Sequence, residues 1–271
     1  MNWKEIKVTC VQHSIPDRAA LLEHIRSLPG CEKHALPDDA TDMELIPAYA
    51  AKRCYMSFEP GVNPNVTRVR RSLADFFNNI LSSGHGSVLE HSSWTFAIDG
   101  VTRVFTGEMN RHRAGVAVSE GSMRFILQRI DDGIDVWLPR SMLSVDTDSN
   151  DIINKKKATL AIFEDIFSKV EKSYKKLVDL WQVSTLSNYD KKIITSLLRR
   201  ILPMGCCTGG FWTMNIRAMR HIIATRTSEA AEEEIAYVFD LIAEEMVHRE
   251  PRLFGDFHKS ISAWIPEHPK V

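Results

Sequence analysis

The sequence predicts an α/β (α+β) fold, a single helix-dominated domain with a small, mainly antiparallel sheet early in the chain. Two patterns carry that reading. Beyond about residue 155 apolar residues recur at helical spacing, whereas Trp94, Phe96 and Ile98 alternate with small or polar neighbours in the two-residue period of a strand. Size agrees with this, since 271 residues at 44% hydrophobic content are enough for one large core and too apolar for a disordered chain.

Taken in order, Ile6, Val8 and Cys10 alternate and predict a strand over residues 5 to 12, closed by Pro16. Gly30 to Asp42 reads as loop. From Arg71 onward, Leu73, Phe76, Phe77, Ile80 and Leu81 predict an amphipathic helix that Ser82-Ser83-Gly84 stops. The strand of Trp94 ends at a turn, Asp99-Gly100, and Val101, Val104, Phe105 and Met109 then predict a helix running into Arg111. Ile134, Val136 and Leu138 before Pro139 predict another strand, and Asp146 to Asp151 a polar, mobile loop. The remainder reads as helical. Ile162 to Trp181 mark a long amphipathic helix, Ile193 to Ile201 a second halted by Pro203 and Gly205, a third begins near Phe211, and a fourth spans Ala230 to Met246. No repeat or linker divides the chain, so residues 1–271 are expected to form one domain, with 1–50 as an extension.

Charge and cysteine usage narrow the function. Lys and Arg number 34 against 35 Asp and Glu, so no global field draws the chain to nucleic acid or an anionic membrane. Any anion must be held by a local cluster. Cys10, Cys31, Cys54, Cys206 and Cys207 lack paired spacing, which fits a reducing compartment. Met1-Asn2-Trp3-Lys4-Glu5 lacks the apolar run of a secretory signal, and no apolar stretch approaches the roughly 20 residues needed to span a bilayer. The expected location is cytoplasmic.

Three clusters carry candidate chemistry. The densest, Arg111 to Phe125, combines three arginines, a histidine, two serines and two glycines. Guanidinium forks, short hydroxyl donors and close-approaching backbone amides are what a phosphate site needs, although the same composition also describes a solvated basic patch. The second, Gly84-His85-Gly86-Ser87-Val88-Leu89-Glu90-His91, invites a metal reading. His85 and His91 lie six apart on a loop with no third ligand at a familiar spacing, so no metal is expected. The third comprises Arg199-Arg200, Asn215, Arg217, His221 and Arg226. Arg217 and Arg220 also read as the polar stripe of a helix whose apolar side is Phe211, Met214, Met219, Ile222 and Ile223.

Taken together, from about Ala51 to Ile235, these motifs resemble the flavin-dependent thymidylate synthases. Gly84-His85-Gly86-Ser87 with Glu90-His91, the Arg111-His112-Arg113 triplet, Ser119-Glu120-x-Ser122-x-Arg124-Phe125, and Phe211-Trp212-x-x-Asn215-x-Arg217 followed by Arg226 carry the resemblance. It implies the family's α/β fold, a homotetramer with active sites shared between subunits, and reductive methylation of dUMP by FAD, NADPH and methylenetetrahydrofolate without a protein nucleophile. By the same resemblance, His85, Ser87, Arg111, His112, Arg113, Glu120, Asn215, Arg217 and His221 would hold FAD. Glu108, Arg111, Glu120, Gly121, Ser122, Met123, Arg124, Arg199 and Arg226 would hold the nucleotide, with Ser122, Arg124 and Arg199 on its phosphate and Arg226 facing the uracil. A guanidinium near the ring carbonyls stabilises the anionic character that a uracil must acquire before its C5 attacks a one-carbon unit.

The sequence departs from the family's pattern in places. One extra residue separates the triplet from Ser122, placed in Ala114 to Val118 as a loop, and Gly107 stands where many members carry arginine. His221 replaces a frequent asparagine, Phe125 a frequent tyrosine, and Ser228, Ala230 and Glu232 replace more polar residues. Two other functions stay open at this stage: methylation or hydroxymethylation of UMP or a related pyrimidine on the same scaffold, and a silent nucleotide- or RNA-binding module.

Overall fold

The computed structural model describes residues 1–66, 68–70, 72–124, 133–261 and 263–271. Strands β1 (Asn2–Lys4) and β2 (Lys7–His13) precede helices α1 (Arg18–Arg26), α2 (Asp42–Tyr55) and α3 (Leu73–Ser82). A 3-10 turn, Gly86–His91, leads into β3 (Ser93–Thr102), α4 (Arg103–Met109) and β4 (Val116–Glu120). After β5 (Asp135–Trp137) come α5 (Asn150–Leu180) and α6 (Asn188–Leu198). A second 3-10 turn, Arg199–Ile201, precedes β6 (Cys207–Asn215) and α7 (Ile216–Arg226). The chain closes through α8 (Glu233–Arg249), α9 (Pro251–Phe254), β7 (Phe257–Lys259) and β8 (Trp264–Pro266).

The larger sheet has the order β2-β3-β6-β4. Cross-strand contacts fix its sense. Ser14 meets Ser93 while Gln12 meets Thr95, Thr95 meets Thr213 while Gly100 meets Cys207, and Gly115 meets Asn215 while Gly121 meets Gly209, so all three pairings are antiparallel. β7 and β8 also pair antiparallel, whereas β1 and β5 run parallel. The helix-dominated fold with a small, mainly antiparallel sheet is what the sequence predicts.

The third helix expected from Phe211 does not exist as such. Trp212 and Met214 are fully buried while Phe211 is 53% exposed, a period of two that belongs to β6, and α7 starts five residues later at Ile216. Gly209 and Gly210 suit this strand because a Cβ on either would collide with a neighbouring strand, at Asp99 Oδ1 or at the Ser119 carbonyl. Nor does β3 turn at Asp99-Gly100. It runs on to Thr102, with Gly100 at φ 76° packed against the Glu5 carbonyl. The stretch Ala114 to Val118 is a turn only as far as Gly115, and Val116 to Val118 belong to β4. The helix expected from Arg71 runs Leu73–Ser82 with Ser72 as its cap; Arg71, like Phe125, lies outside the described residues.

Two compact units divide the chain. The first comprises residues 1–8, 97–111 and 118–211. Its core gathers Met123, Ile134, Val136, Phe167 and Cys206, with a smaller cluster of Tyr174, Val183 and Leu198. Of the long α5 only Phe167 and Tyr174, two turns apart, are buried. Ile162, Phe163 and Ile166, the face that the periodicity predicts to be covered, are exposed, and so are Tyr189, Ile193 and Leu197 at four-residue spacing on α6.

The second unit comprises residues 9–96, 112–117 and 212–271. Trp94, Phe96, Trp212 and Met214 line one face of the strands, with Phe77 and Ile80 of α3, Met219 and Ile222 of α7, and Phe239 and Ile242 of α8 among the fully buried residues. Arg220, which the sequence places on a polar stripe, is 2% exposed; its guanidinium donates to both oxygens of Asp256 at 2.6 and 2.8 Å and to the Leu253 carbonyl. Burial of that charge is compensated by a bidentate partner, so Arg220 holds the C-terminal segment to α7.

Candidate functional site

Each unit contains a cavity built from the predicted motifs. In the second unit, Glu90, Ala114, Gly115, Asn215, Arg217, Ala218 and His221 line a space of about 210 Å³. Asn215 ends β6 and caps α7, its side-chain oxygen accepting from the Ala218 amide at 2.8 Å while its own backbone amide donates to the Gly115 carbonyl at 2.9 Å. Gly115 adopts φ 71°, and a Cβ there would collide with the Asn215 side-chain amide. The first turn of α7 therefore faces the cavity with its dipole's positive end.

Arg217 and His221 stand one turn apart on the same face of α7. The Arg217 guanidinium donates to Glu90 at 2.6 Å, and it packs so closely on Gly86 that a Cβ there would approach Nε to 2.9 Å. At the far end of α7, Arg226 Nε donates to His112 Nε2 at 2.7 Å, and the His112 and His221 rings meet edge to face at 6.1 Å. His112, Asn215, Arg217, His221 and Arg226 are thus brought together. Three other expected flavin contacts are placed differently: His85 opens the 3-10 turn on the side of another cavity, with its ring 5.8 Å from Tyr55, and Ser87 and Arg113 are exposed. The segment Gly86–His91, read from sequence as loop, is this 3-10 turn packed on α2 and α7. Among the described residues no group of three or more His, Cys, Asp and Glu is arranged to hold a metal ion.

In the first unit, α4 and the turn Arg199–Ile201 enclose about 450 Å³ lined by Arg103, Gly107, Asn110, Met123, Arg199 and Arg200, among others. Arg103 makes an ion pair with Glu120, whose second oxygen accepts from Asn110 at 3.3 Å. Burial, and then the nearby Arg199 charge, push the Arg103 guanidinium below its ordinary value. Crowded cations of this kind gain from an anion between them. Gly107 leaves open space at its Cβ position.

The other expected nucleotide residues, Met123 apart, do not line this cavity. Glu108 accepts from Arg111 at 3.2 Å through both oxygens, and Gly121 is tied to β6, its amide donating to the Gly209 carbonyl at 2.8 Å and its carbonyl accepting from the Thr208 hydroxyl. Ser122 Oγ accepts from the Arg124 amide and Nε at 3.4 Å each, and neither residue lines the cavity. Met123 does, but it is also a core residue at 8% exposure. Arg103 and Asn110 were absent from the motif reading. A signal existed, because Arg103 lies one helical turn before Gly107 and one more precedes Arg111.

The family model described as thymidylate synthase complementing protein matches residues 36–252. A flavin-dependent thymidylate synthase of Mycobacteroides abscessus is 32% identical over 231 residues, covering 81% of this chain and 83% of that protein. Among solved structures, the UMP/dUMP methylase PolB of Streptomyces cacaoi bound with 5-Br dUMP superposes with a TM-score of 0.61 at 17% identity, over 93% of each chain. Thymidylate synthase X of Helicobacter pylori with FAD and dUMP gives a TM-score of 0.54 at 17% identity, over 93% of this chain and 98% of that one. No described helix is long and apolar enough to cross a membrane. On the extent of the family match and the identity to its members, this chain belongs to the thymidylate synthase complementing proteins, the flavin-dependent thymidylate synthases.

Proposed function

We propose that the chain converts dUMP to dTMP by reductive methylation, with FAD as cofactor and methylenetetrahydrofolate and NADPH as co-substrates. The observation that carries this within the molecule is the cavity on which Arg103, Arg199 and Arg200 converge, a charge arrangement suited to a nucleotide phosphate. Arg199 with Ser122 and Arg124 would hold that phosphate; Glu108, Arg111, Glu120, Gly121 and Met123 would shape the rest of the nucleotide site.

The α7 cavity suits a dinucleotide's phosphates, since Asn215, Arg217, His221 and His112 present donors beside a helix N-terminus. With His85, Ser87, Arg111, Arg113 and Glu120 these residues would hold FAD, which when bound supplies the hydride that completes the methyl group. Arg226 is the residue we assign to the uracil. Its bond to His112 fixes the plane of the guanidinium, and a fixed cation costs no reorganisation as negative charge develops on the ring. Accepting that bond at Nε2 leaves His112 with its proton on Nδ1.

At about 210 Å³ the α7 cavity is smaller than the roughly 300–1,000 Å³ usual for ligand pockets, so one chain supplies only part of a dinucleotide's enclosure. The exposed apolar rows on α5 and α6 supply surface for further copies. Both observations support a homotetramer with shared active sites, which we place in the cytoplasm. The protein reconstituted with FAD is expected to be yellow, to oxidise NADPH and to release tritium from dUMP labelled at C5; a flavin-loaded protein that does neither refutes the proposal.

A second reading, UMP as substrate, draws on Gly107. The open space at its Cβ enlarges the arginine-lined cavity where many family members carry a long side chain. Comparing turnover of UMP and dUMP separates the two readings, since a 2′-hydroxyl must be either admitted or excluded.

A further inference from the structure

The second unit holds another cavity, of about 300 Å³, between α2, the segment before α3 and α3 itself. Lys52, Arg68 and Arg70 line it together with the rings of Tyr55, Phe76 and His85, and no carboxylate does. Among the described residues neither Arg68 nor Arg70 forms an ion pair. Lys52 lies over the Tyr49 and Phe76 rings at 5.4 and 5.8 Å, and burial lowers its pKa from the ordinary lysine value. The acid that acts on it from outside the lining, Glu59, is itself bonded to His34 at 2.6 Å. Three cations around one small space repel each other, and neither arginine has a carboxylate partner among the described residues, so the arrangement suits an anion that enters it.

The position of this cavity says what the anion is attached to. His85, on its rim, opens the turn Gly86–His91, and Glu90 near the turn's other end pairs with Arg217 in the α7 cavity. At about 2 Å of rise per residue, a six-residue 3-10 turn spaces its ends by roughly 10 Å. A co-substrate lying against a flavin held at the α7 cavity would therefore reach the basic cavity with a tail of about that length.

We propose that the Lys52–Arg68–Arg70 cavity binds the anionic tail of an aromatic co-substrate, the glutamate carboxylates of the folate or the extra phosphate that distinguishes NADPH from NADH. This rests on the reading of the α7 cavity as the flavin site. Arginine forks and an ammonium pair equally well with carboxylate or phosphate, so affinity measurements must tell the sources apart.

The test uses the full chain loaded with FAD. An Arg68→Gln/Arg70→Gln double variant is titrated calorimetrically with tetrahydrofolate carrying one and three glutamates, with NADP+, and with dUMP. Loss of two charge-assisted contacts is expected to weaken the triglutamate by about tenfold or more, the monoglutamate by less, and dUMP not at all. A loss confined to NADP+ supports the site with phosphate as its source. Unchanged affinity for both co-substrates overturns the proposal, and so does a parallel loss of flavin and dUMP, which would mark the arginines as structural. An Arg68→Lys/Arg70→Lys pair should recover most of the affinity if charge is what matters. Failure of the wild-type chain to take up FAD would instead refute the flavin site.

Discussion

Arg226 Nε donates to His112 Nε2 at 2.7 Å, joining the last residue of α7 to the segment just before β4. The bond makes the guanidinium's orientation depend on a residue from the Arg-His-Arg triplet. Arg226→Ala is expected to lower kcat for methyl transfer by about 10²–10³-fold with flavin absorbance retained. Arg226→Lys should not rescue it, because an ammonium lacks the planar fork. His112→Ala should cost roughly 10²-fold by freeing the guanidinium to rotate. Full activity in the His112 variant would show that the contact plays no positioning role.

Arg103 extends the proposed nucleotide site beyond the motifs. Arg103→Ala should raise the KM for dUMP by about ten- to a hundredfold, the equivalent of one charge-assisted hydrogen bond, with a smaller change in kcat. Arg199→Ala should behave alike, and added salt should weaken dUMP binding less in either variant than in the parent. An unaltered KM in both would remove the arginine-lined cavity from the nucleotide site.

Gly115 is fixed by geometry rather than by chemistry. At φ 71° an alanine costs about 1–2 kcal/mol from backbone strain alone, and its methyl would also displace the Asn215 amide. Gly115→Ala is therefore expected to lower Tm and to reduce flavin content after reconstitution, read from thermal scans and from absorbance. Normal flavin uptake would mean that Asn215 is not needed in its present place.

Glu250 predicts a pH effect on stability. Burial first, then the neighbouring Glu44 and Asp42, raise its pKa against the Thr41 hydroxyl that donates to it at 2.9 Å. A raised folded-state pKa favours the protonated acid, so this group's stabilisation is present below the ordinary carboxylate range and is lost as pH rises through the raised value. Glu250→Gln keeps an acceptor for Thr41 without the charge. Its Tm should exceed that of the parent near about pH 8, and the difference should vanish near about pH 4. Equal Tm at both values would contradict the assignment.

The long helices were legible because many turns repeat one pattern, as Ile162 to Trp181 and Ile193 to Ile201 do, but periodicity did not say which face a single chain covers. β6 was not legible. Its two glycines and mixed apolar run suit either element, and only the close neighbours at Asp99 and Ser119 show why a strand wins. α2 was missed despite a capping box, Thr41 with Glu44, because Pro47 falls inside it. At the site, Asn215, Arg217 and His221 could be found because they are close in sequence. Arg103 was missed although it stands one helical turn before Gly107, since its cavity is completed by Arg199 and Arg200, nearly a hundred residues away in the chain.

The division into two units has a consequence for how this protein can be taken apart. The chain passes between them at 8/9, 96/97, 111/112, 117/118 and 211/212, and the last four of these steps fall within or beside strands and motifs that build the cavities. Neither unit is therefore a continuous stretch of gene. A terminal truncation cannot isolate one of them, and a single proteolytic nick cannot release one whole. A recombination event that exchanges either half for a homologue's must carry three separate segments at once. The two cavities are in this sense inherited together.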